Sequence, residues 1–155
     1  MADDDSETTK GGGRILRYVE RTDGWIAPAP SRDVETIEAH FSRYYGEPET
    51  VFHEIVSDLV HIDVHVVPPA SGRDRWTLFT TGMSDLPMAA PAGAEDRAFA
   101  ELVLFLPAEW RVDLLKMTPP PDDLERWYWP LRWLKYLAPI PSRAQDVARV
   151  RSFDT

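Results

Sequence analysis

The chain contains no cysteine among its 155 residues. This absence excludes disulfide bonds, thiolate metal sites and cysteine nucleophiles, and it fits a reducing compartment. The sequence also lacks any apolar run near the ~20 residues that a membrane-spanning helix needs. Its N-terminus is acidic and has no basic start followed by an apolar stretch, so no signal peptide is indicated. We therefore expect a soluble, cytoplasmic protein.

Positive charge is also scarce. The chain has 17 Lys and Arg residues and 26 Asp and Glu residues, which gives a net charge of −9. No basic stripe interleaved with aromatic residues is present. Because such a chain is repelled by phosphates, we expect neither nucleic acid nor an anionic membrane as a partner. An acidic protein suits a basic protein partner, although solubility alone is the commoner reason for acidity.

Hydrophobic residues make up 43% of the chain, which is enough to build one domain that buries roughly 70% of the surface of its unfolded form. Residues 1–13 are polar and end in three glycines, so we expect a disordered acidic tail. We assign residues 14–141 to the domain. Residues 142–155 are weakly patterned and are expected to form a weakly ordered tail.

Helical spacing of apolar residues marks both ends of the domain. Ser31 is a candidate N-cap for a helix that ends at Gly46. A second helical stripe runs from Leu124 to Ala138. Pro130 interrupts this stripe, so we predict two helical pieces with Pro130 in the first turn of the second.

Four segments between the helices have the composition of strands: 50–56, 59–69, 75–82 and 99–107. The last two are apolar along their length, as is typical of strands covered on both faces. The order of the elements predicts an α+β fold, with a mixed or antiparallel sheet of three to five strands and helices packed on it in a single domain.

The segment at 61–65 is a candidate metal site. His61, Asp63 and His65 alternate along a predicted strand and therefore project from one face. Two imidazoles and a carboxylate suit zinc or ferrous iron, which would make the protein a metal-dependent enzyme. The alternative is the wetter face of a half-buried strand, because valine and isoleucine occupy the positions between them.

Ser84 and Asp85 follow Gly82 at the end of a predicted strand, as in a nucleophile turn. The G-x-S-x-G spacing is absent, since Leu86 stands at the later glycine position. We therefore favour a strand-ending turn in which Ser84 and Asp85 hydrogen-bond their own backbone.

Glu101 is an acid within an apolar strand. Burial would raise its pKa and require a partner. It is either a general acid or base, or a structural partner of an arginine such as Arg75 or Arg97.

Three tryptophans lie in the segment that carries the second helical stripe. Trp127 falls on the core side of the stripe, whereas Trp129 and Trp133 lie off it and are candidates for an exposed, interfacial patch. The loop of about 16 residues after Gly82 exceeds ordinary loop length, and we expect a partner to contact it.

Four segments, taken in order, resemble the suppressor of fused domain family, and its bacterial members most of all: "DLVHIDVHVVPP", "RWTLFTTGMSDLPM", "AELVLFLPAEW" and "WPLRWLKYLA". The resemblance covers residues 51–138. It implies a protein-binding module that is not an enzyme and needs no cofactor. The animal protein grips a short peptide of a transcription factor as an added strand, and bacterial relatives are regarded as immunity proteins that neutralise polymorphic toxins.

The most specific part of the resemblance is the turn after the third strand. With the two off-stripe tryptophans, it gives the candidate protein-binding residues: Gly82, Met83, Ser84, Asp85, Leu86, Trp129 and Trp133. Bacterial relatives continue into further strands after the tryptophan-rich helix, whereas this chain runs "SRAQDVARVRSFDT". We therefore expect a truncated or altered C-terminus that leaves an open sheet edge.

Overall fold

Four antiparallel strands form one sheet in this computed structural model, which describes residue 10 and residues 34–55, 60–88 and 93–142. The strands are β1 (Thr50–Phe52), β2 (Asp63–Val67), β3 (Arg75–Thr81) and β4 (Val103–Pro107). Helix α1 (Val34–Tyr45) precedes the sheet and helix α2 (Leu124–Leu137) follows it. The predicted α+β fold, a single domain with helices packed on a sheet, is confirmed.

The strands lie in sequence order, so each pairs only with its neighbours along the chain. Between β2 and β3 the register places Asp63 opposite Thr81. Between β3 and β4 it places Phe79 opposite Val103. Within the described residues, β1 and β4 are therefore the two edges of the sheet.

One face of the sheet packs against α2. Alternation along β2 directs Val64 and Val66 to this face, where they join Leu131 and Leu134 of the helix in one buried cluster. Burying each such side chain stabilises the fold by roughly 1.5–3 kcal/mol. The cluster is the main core of the described part of the chain.

The opposite face is covered by α1, and this corrects one prediction. His65 is only 2% exposed, so it does not lie on a wetter face. Its ring stacks on Phe79, which in turn stacks on Phe41 of α1 with the ring centroids 3.9 Å apart. The prediction was wrong because α1 packs across the strands from a distant part of the sequence.

Helix α2 is continuous across Pro130, so the predicted break into two pieces was also wrong. Pro130 lacks the N–H that would bond one turn back, which weakens the helix locally. Its ring is fully buried next to Leu131. Packing on the sheet thus holds the helical backbone where the local sequence favours an interruption.

The strands are shorter than predicted. Near their ends, hydrogen bonds to side chains take the place of backbone hydrogen bonds between strands. After β1, the Glu54 carboxylate accepts a hydrogen bond from Ile62 N–H at 2.9 Å, and Asp63 accepts one from Glu54 N–H at 3.2 Å. The predicted cap Ser31 and the predicted tails lie outside the described residues, apart from Lys10 and Ser142. In the part of the chain that is described, no helix has the length and apolarity to cross a membrane.

Candidate functional site

The turn after β3 depends on a glycine. Gly82 has a φ of +100°, and a Cβ built on it would lie 1.9 Å from the backbone oxygen of His61. A side chain is therefore excluded by backbone conformation and by contact with rigid backbone. The close approach places the following one-turn 3-10 helix, Met83–Asp85, directly beside the chain that enters β2.

Glu101 holds this turn with four hydrogen bonds. Its Oε1 accepts one from the Ser84 hydroxyl at 2.6 Å and one from the Ser84 N–H at 3.0 Å. Its Oε2 accepts one from the Thr80 hydroxyl at 2.7 Å and one from the Met83 N–H at 3.3 Å. The carboxylate thus satisfies N–H groups at the start of the short helix, which has no side-chain cap of its own.

Burial raises the pKa of Glu101, while the hydrogen bonds from Ser84, Thr80 and Met83 oppose the shift. Among the ion pairs of the described residues, none joins Glu101 to Arg75 or Arg97. The predicted arginine partner was therefore wrong. Hydroxyl and amide donors take that place, because the turn after β3 folds back onto the start of β4.

Ser84 and Asp85 also differ from their predicted roles. The Ser84 hydroxyl donates to Glu101 and not to its own backbone. Asp85 contributes its backbone N–H, which donates to Gly82 O at 3.1 Å, while its Oδ1 is buried without a hydrogen bond. The arrangement is a strand-ending turn, as expected, but a distant acid fixes it.

The predicted contact residues of this turn point partly inward. Met83 is buried with Val60, Ile62 and Ala138, and Leu86 packs against that cluster. Gly82 is buried, whereas Ser84 and Asp85 are half-buried. The turn therefore packs into the domain through Met83 and Leu86, while the residues Ser84 and Asp85 stay partly exposed.

Asp63 and His65 of the candidate metal site contact other residues in the structure. The Asp63 carboxylate pairs with His53, its Oδ2 2.9 Å from Nδ1. His65 lies under α1, with Nε2 3.0 Å from the Thr81 hydroxyl and Nδ1 3.3 Å from Glu38 Oε1. Burial lowers the pKa of His65. In the residues that the structure describes, no group of three or more histidine, aspartate or glutamate side chains is arranged to hold a metal ion.

Trp129 and Trp133 lie on the outer side of α2, as their spacing predicted, and are 41% and 50% exposed. Trp129 contacts Trp110 edge-to-face, with centroids 5.9 Å apart. Trp133 contacts Tyr136 at 5.7 Å in the same manner. Trp127, predicted for the core, is half-buried and donates a hydrogen bond to Asp123 at 3.2 Å.

The outer edge of β4 is a feature that the sequence did not locate. Thr80 N–H donates to Leu102 O at 3.0 Å, so the backbone of Leu102 faces β3. Because backbone groups alternate along an antiparallel strand, Leu104 and Leu106 also face β3, whereas Val103 and Phe105 face outward. No described strand pairs with them on that side.

The side chains along this edge are apolar and open. Val103 and Phe105 are 44% and 42% exposed, so the prediction that this strand is covered on both faces was wrong. Phe105 contacts Tyr45 of α1 at 5.8 Å, and the Arg75 guanidinium lies 5.6 Å from its ring centroid. An apolar strand at an edge has the same sequence pattern as one at the centre, so only the strand order reveals the difference.

In this region Glu101 and Ser84 hold the turn after β3 together, His65 lies in the core, and exposed apolar side chains line the outer edge of β4. A model of the family "Suppressor of fused protein (SUFU)" matches residues 58–149, more than half of the chain. The chain therefore belongs to the suppressor of fused family, whose domains are non-enzymatic modules for protein interaction. No curated protein and no solved structure shows significant similarity to it.

Proposed function

We propose that the chain captures an extended segment of a partner protein along the outer edge of β4. One observation carries the proposal: the outward N–H and C=O groups of Val103 and Phe105 have no strand beside them among the described residues. In strand addition, backbone hydrogen bonds supply affinity and adjoining side chains supply specificity. The family's role in protein binding supports this use of the edge.

The groups around the edge define what the partner segment would contact. On the α1 side, alternate residues of an added strand would meet Val103 and Phe105, with Tyr45 and Arg75 beside Phe105. On the α2 side, they would meet Leu104, which packs against the core. Such a footprint suits a largely apolar, extended segment.

The candidate residues predicted from the sequence extend this footprint. Trp129 and Trp133 form a second exposed contact area, because aromatic side chains supply much of the binding energy of protein interfaces. The turn Gly82–Leu86 contributes its partly exposed residues Ser84 and Asp85 to the footprint. The same turn fixes the start of β4 through the hydrogen bond from Ser84 to Glu101.

The finer proposal is that the partner is a toxin and that this chain is a cytoplasmic immunity protein of the bacterial type. The net charge of −9 supports a basic partner, because opposite charges speed association. The resemblance of residues 51–138 to bacterial relatives is the other support. The proposed action is direct capture, without catalysis.

The test is a binding and protection assay against toxins encoded by neighbouring genes. The purified chain should retain one such toxin in a pull-down, and its expression should restore growth of cells that produce the toxin. If it neither binds nor protects against any of them, the immunity proposal is wrong.

Two variants test the edge itself. Val103→Lys places a charge on the edge, as natural edge strands do to prevent pairing, and should lower toxin affinity by at least tenfold. Met117→Lys alters another exposed apolar residue that belongs to neither proposed surface, and should leave the affinity unchanged. Equal affinity of wild type and Val103→Lys would refute docking at β4 while leaving protein binding itself intact.

A further inference from the structure

The outer edge of β4 is complementary to itself, and we infer that two copies of the chain pair there as an antiparallel homodimer. The two sheets then join into one continuous sheet. Self-pairing covers the same edge that a partner segment would use. The inference therefore rests on the proposed function in one respect, the competition between dimer formation and partner binding.

The hydrogen-bonding groups of β4 fit a twofold axis at Leu104. With that axis, Val103 of one copy lies opposite Phe105 of the second, and Phe105 opposite Val103. Both are pairs whose backbone groups face outward, so each exchanges two N–H···O=C bonds. Leu104 then faces Leu104 of the second copy as a non-hydrogen-bonded pair, which is the alternation that an antiparallel ladder requires.

The side chains fit the same register. Val103 and Phe105 lie on one face of the sheet, so the twofold axis makes a valine–phenylalanine pair twice. Pairs of aromatic and β-branched residues stabilise antiparallel sheets. β4 carries no charged residue, so no like charges face each other across the axis.

The paired stretch Val103–Phe105 carries none of the devices that normally prevent such pairing. Edge strands are usually kept apart by lysine, proline, a bulge or a very short length. β4 has five residues, its register with β3 is uniform, and its single proline, Pro107, lies at its last position. β1, the other edge, has only three residues. Self-pairing is therefore assigned to β4 and not to β1.

Sedimentation velocity on the full chain, from low micromolar to about 100 µM, tests for the dimer, since small interfaces are weak. The wild type should dimerise, and Val103→Lys should raise the dimer dissociation constant at least tenfold. Leu137→Lys is the matched control, because Leu137 is 43% exposed and Val103 is 44% exposed. A monomeric wild type at the highest concentration, or dissociation by Leu137→Lys and not by Val103→Lys, overturns the inference.

Crosslinking tests the register, since any introduced cysteine is the only thiol in the chain. In Leu104→Cys the two Cα atoms would be about 4.5 Å apart, within the range for a disulfide. In Phe105→Cys the equivalent atoms would be about 8 Å apart, beyond that range. Mild oxidation should therefore crosslink Leu104→Cys far faster than Phe105→Cys. Equal or reversed rates in folded protein overturn the proposed register.

The dimer experiments contain no partner, so their outcome is independent of the toxin assay. If the dimer forms through β4 and Val103→Lys still binds toxin normally, docking at β4 is wrong and the dimer stands. If the wild type is monomeric and Val103→Lys loses toxin binding, the dimer is wrong and docking stands. If both hold, toxin and self-association compete, and added toxin should dissociate the dimer.

Discussion

The Ser84 hydroxyl donates a hydrogen bond of 2.6 Å to the Glu101 carboxylate. This contact joins the turn after β3 to the chain that enters β4, 17 residues later in the sequence. Thr80 strengthens the junction, since its hydroxyl donates to Glu101 and accepts from the Leu102 N–H. The start of the open edge is thus positioned by a half-buried acid.

Removal of the acid should destabilise the fold. Glu101→Ala leaves the Thr80 and Ser84 hydroxyls and two N–H groups without their acceptor, and should lower the free energy of unfolding by about 2–4 kcal/mol. Ser84→Ala removes one donor and should cost about 1 kcal/mol. Urea denaturation measures both. Glu109→Ala, at an exposed acid, is the control, and an equal loss there would show that Glu101 has no special role.

The raised pKa of Glu101 predicts a pH dependence of stability. A carboxyl whose pKa is higher in the folded state binds more protons there, so its contribution is fully present below its unfolded value of 4.5 and is lost as the pH rises through the folded pKa. Over that interval the free energy of unfolding of the wild type should fall relative to Glu101→Gln. A difference between the two that is constant with pH would contradict the prediction.

Gly82→Ala should be strongly destabilising, by about 3 kcal/mol or more, because the new methyl group meets a backbone oxygen. Gly72→Ala is the matched control. Gly72 also has a positive φ, +81°, but nothing lies within 4 Å of its Cβ position. It should therefore show only the conformational cost, about 1–2 kcal/mol. Equal losses in thermal or urea denaturation would mean that the approach to His61 does not matter.

His65 should make the protein less stable in acid. Burial lowers its pKa from 6.5, so the unfolded chain binds the proton more readily. The stability contribution of the neutral ring is present above 6.5 and is lost as the pH falls through the folded pKa. His65→Gln should remove this part of the acid sensitivity, whereas His40→Gln, at an exposed ring, should not. Identical pH profiles for both variants would contradict the assignment.

The two exposed tryptophans of α2 should behave differently on truncation. Trp129→Ala removes the contact with Trp110 and should lower the free energy of unfolding by about 1 kcal/mol. Trp133→Ala removes a contact with exposed Tyr136 and should be nearly neutral for stability. If the pair contacts the partner, each variant should weaken toxin binding at least fivefold. Unchanged affinity in both would restrict binding to the β4 edge.

The sequence alone predicted the α+β class, the helical segments on both sides of the sheet, the positions of the four strands and the family, because these depend on local periodicity and on motifs contiguous in the chain. It also placed Trp129 and Trp133 on the outer side of α2, since helical spacing decides that directly. The turn after β3 was recognised from Gly82 and the residues that follow it.

Only the tertiary structure decided which residues meet across long separations. The burial of His65 under α1, the capture of the turn by Glu101 and the continuity of α2 through Pro130 all depend on packing between distant segments. The place of β4 at the sheet edge is of the same kind. Residue types state what a side chain can do, whereas its neighbours in the fold determine whether it is buried, paired or left open to a partner.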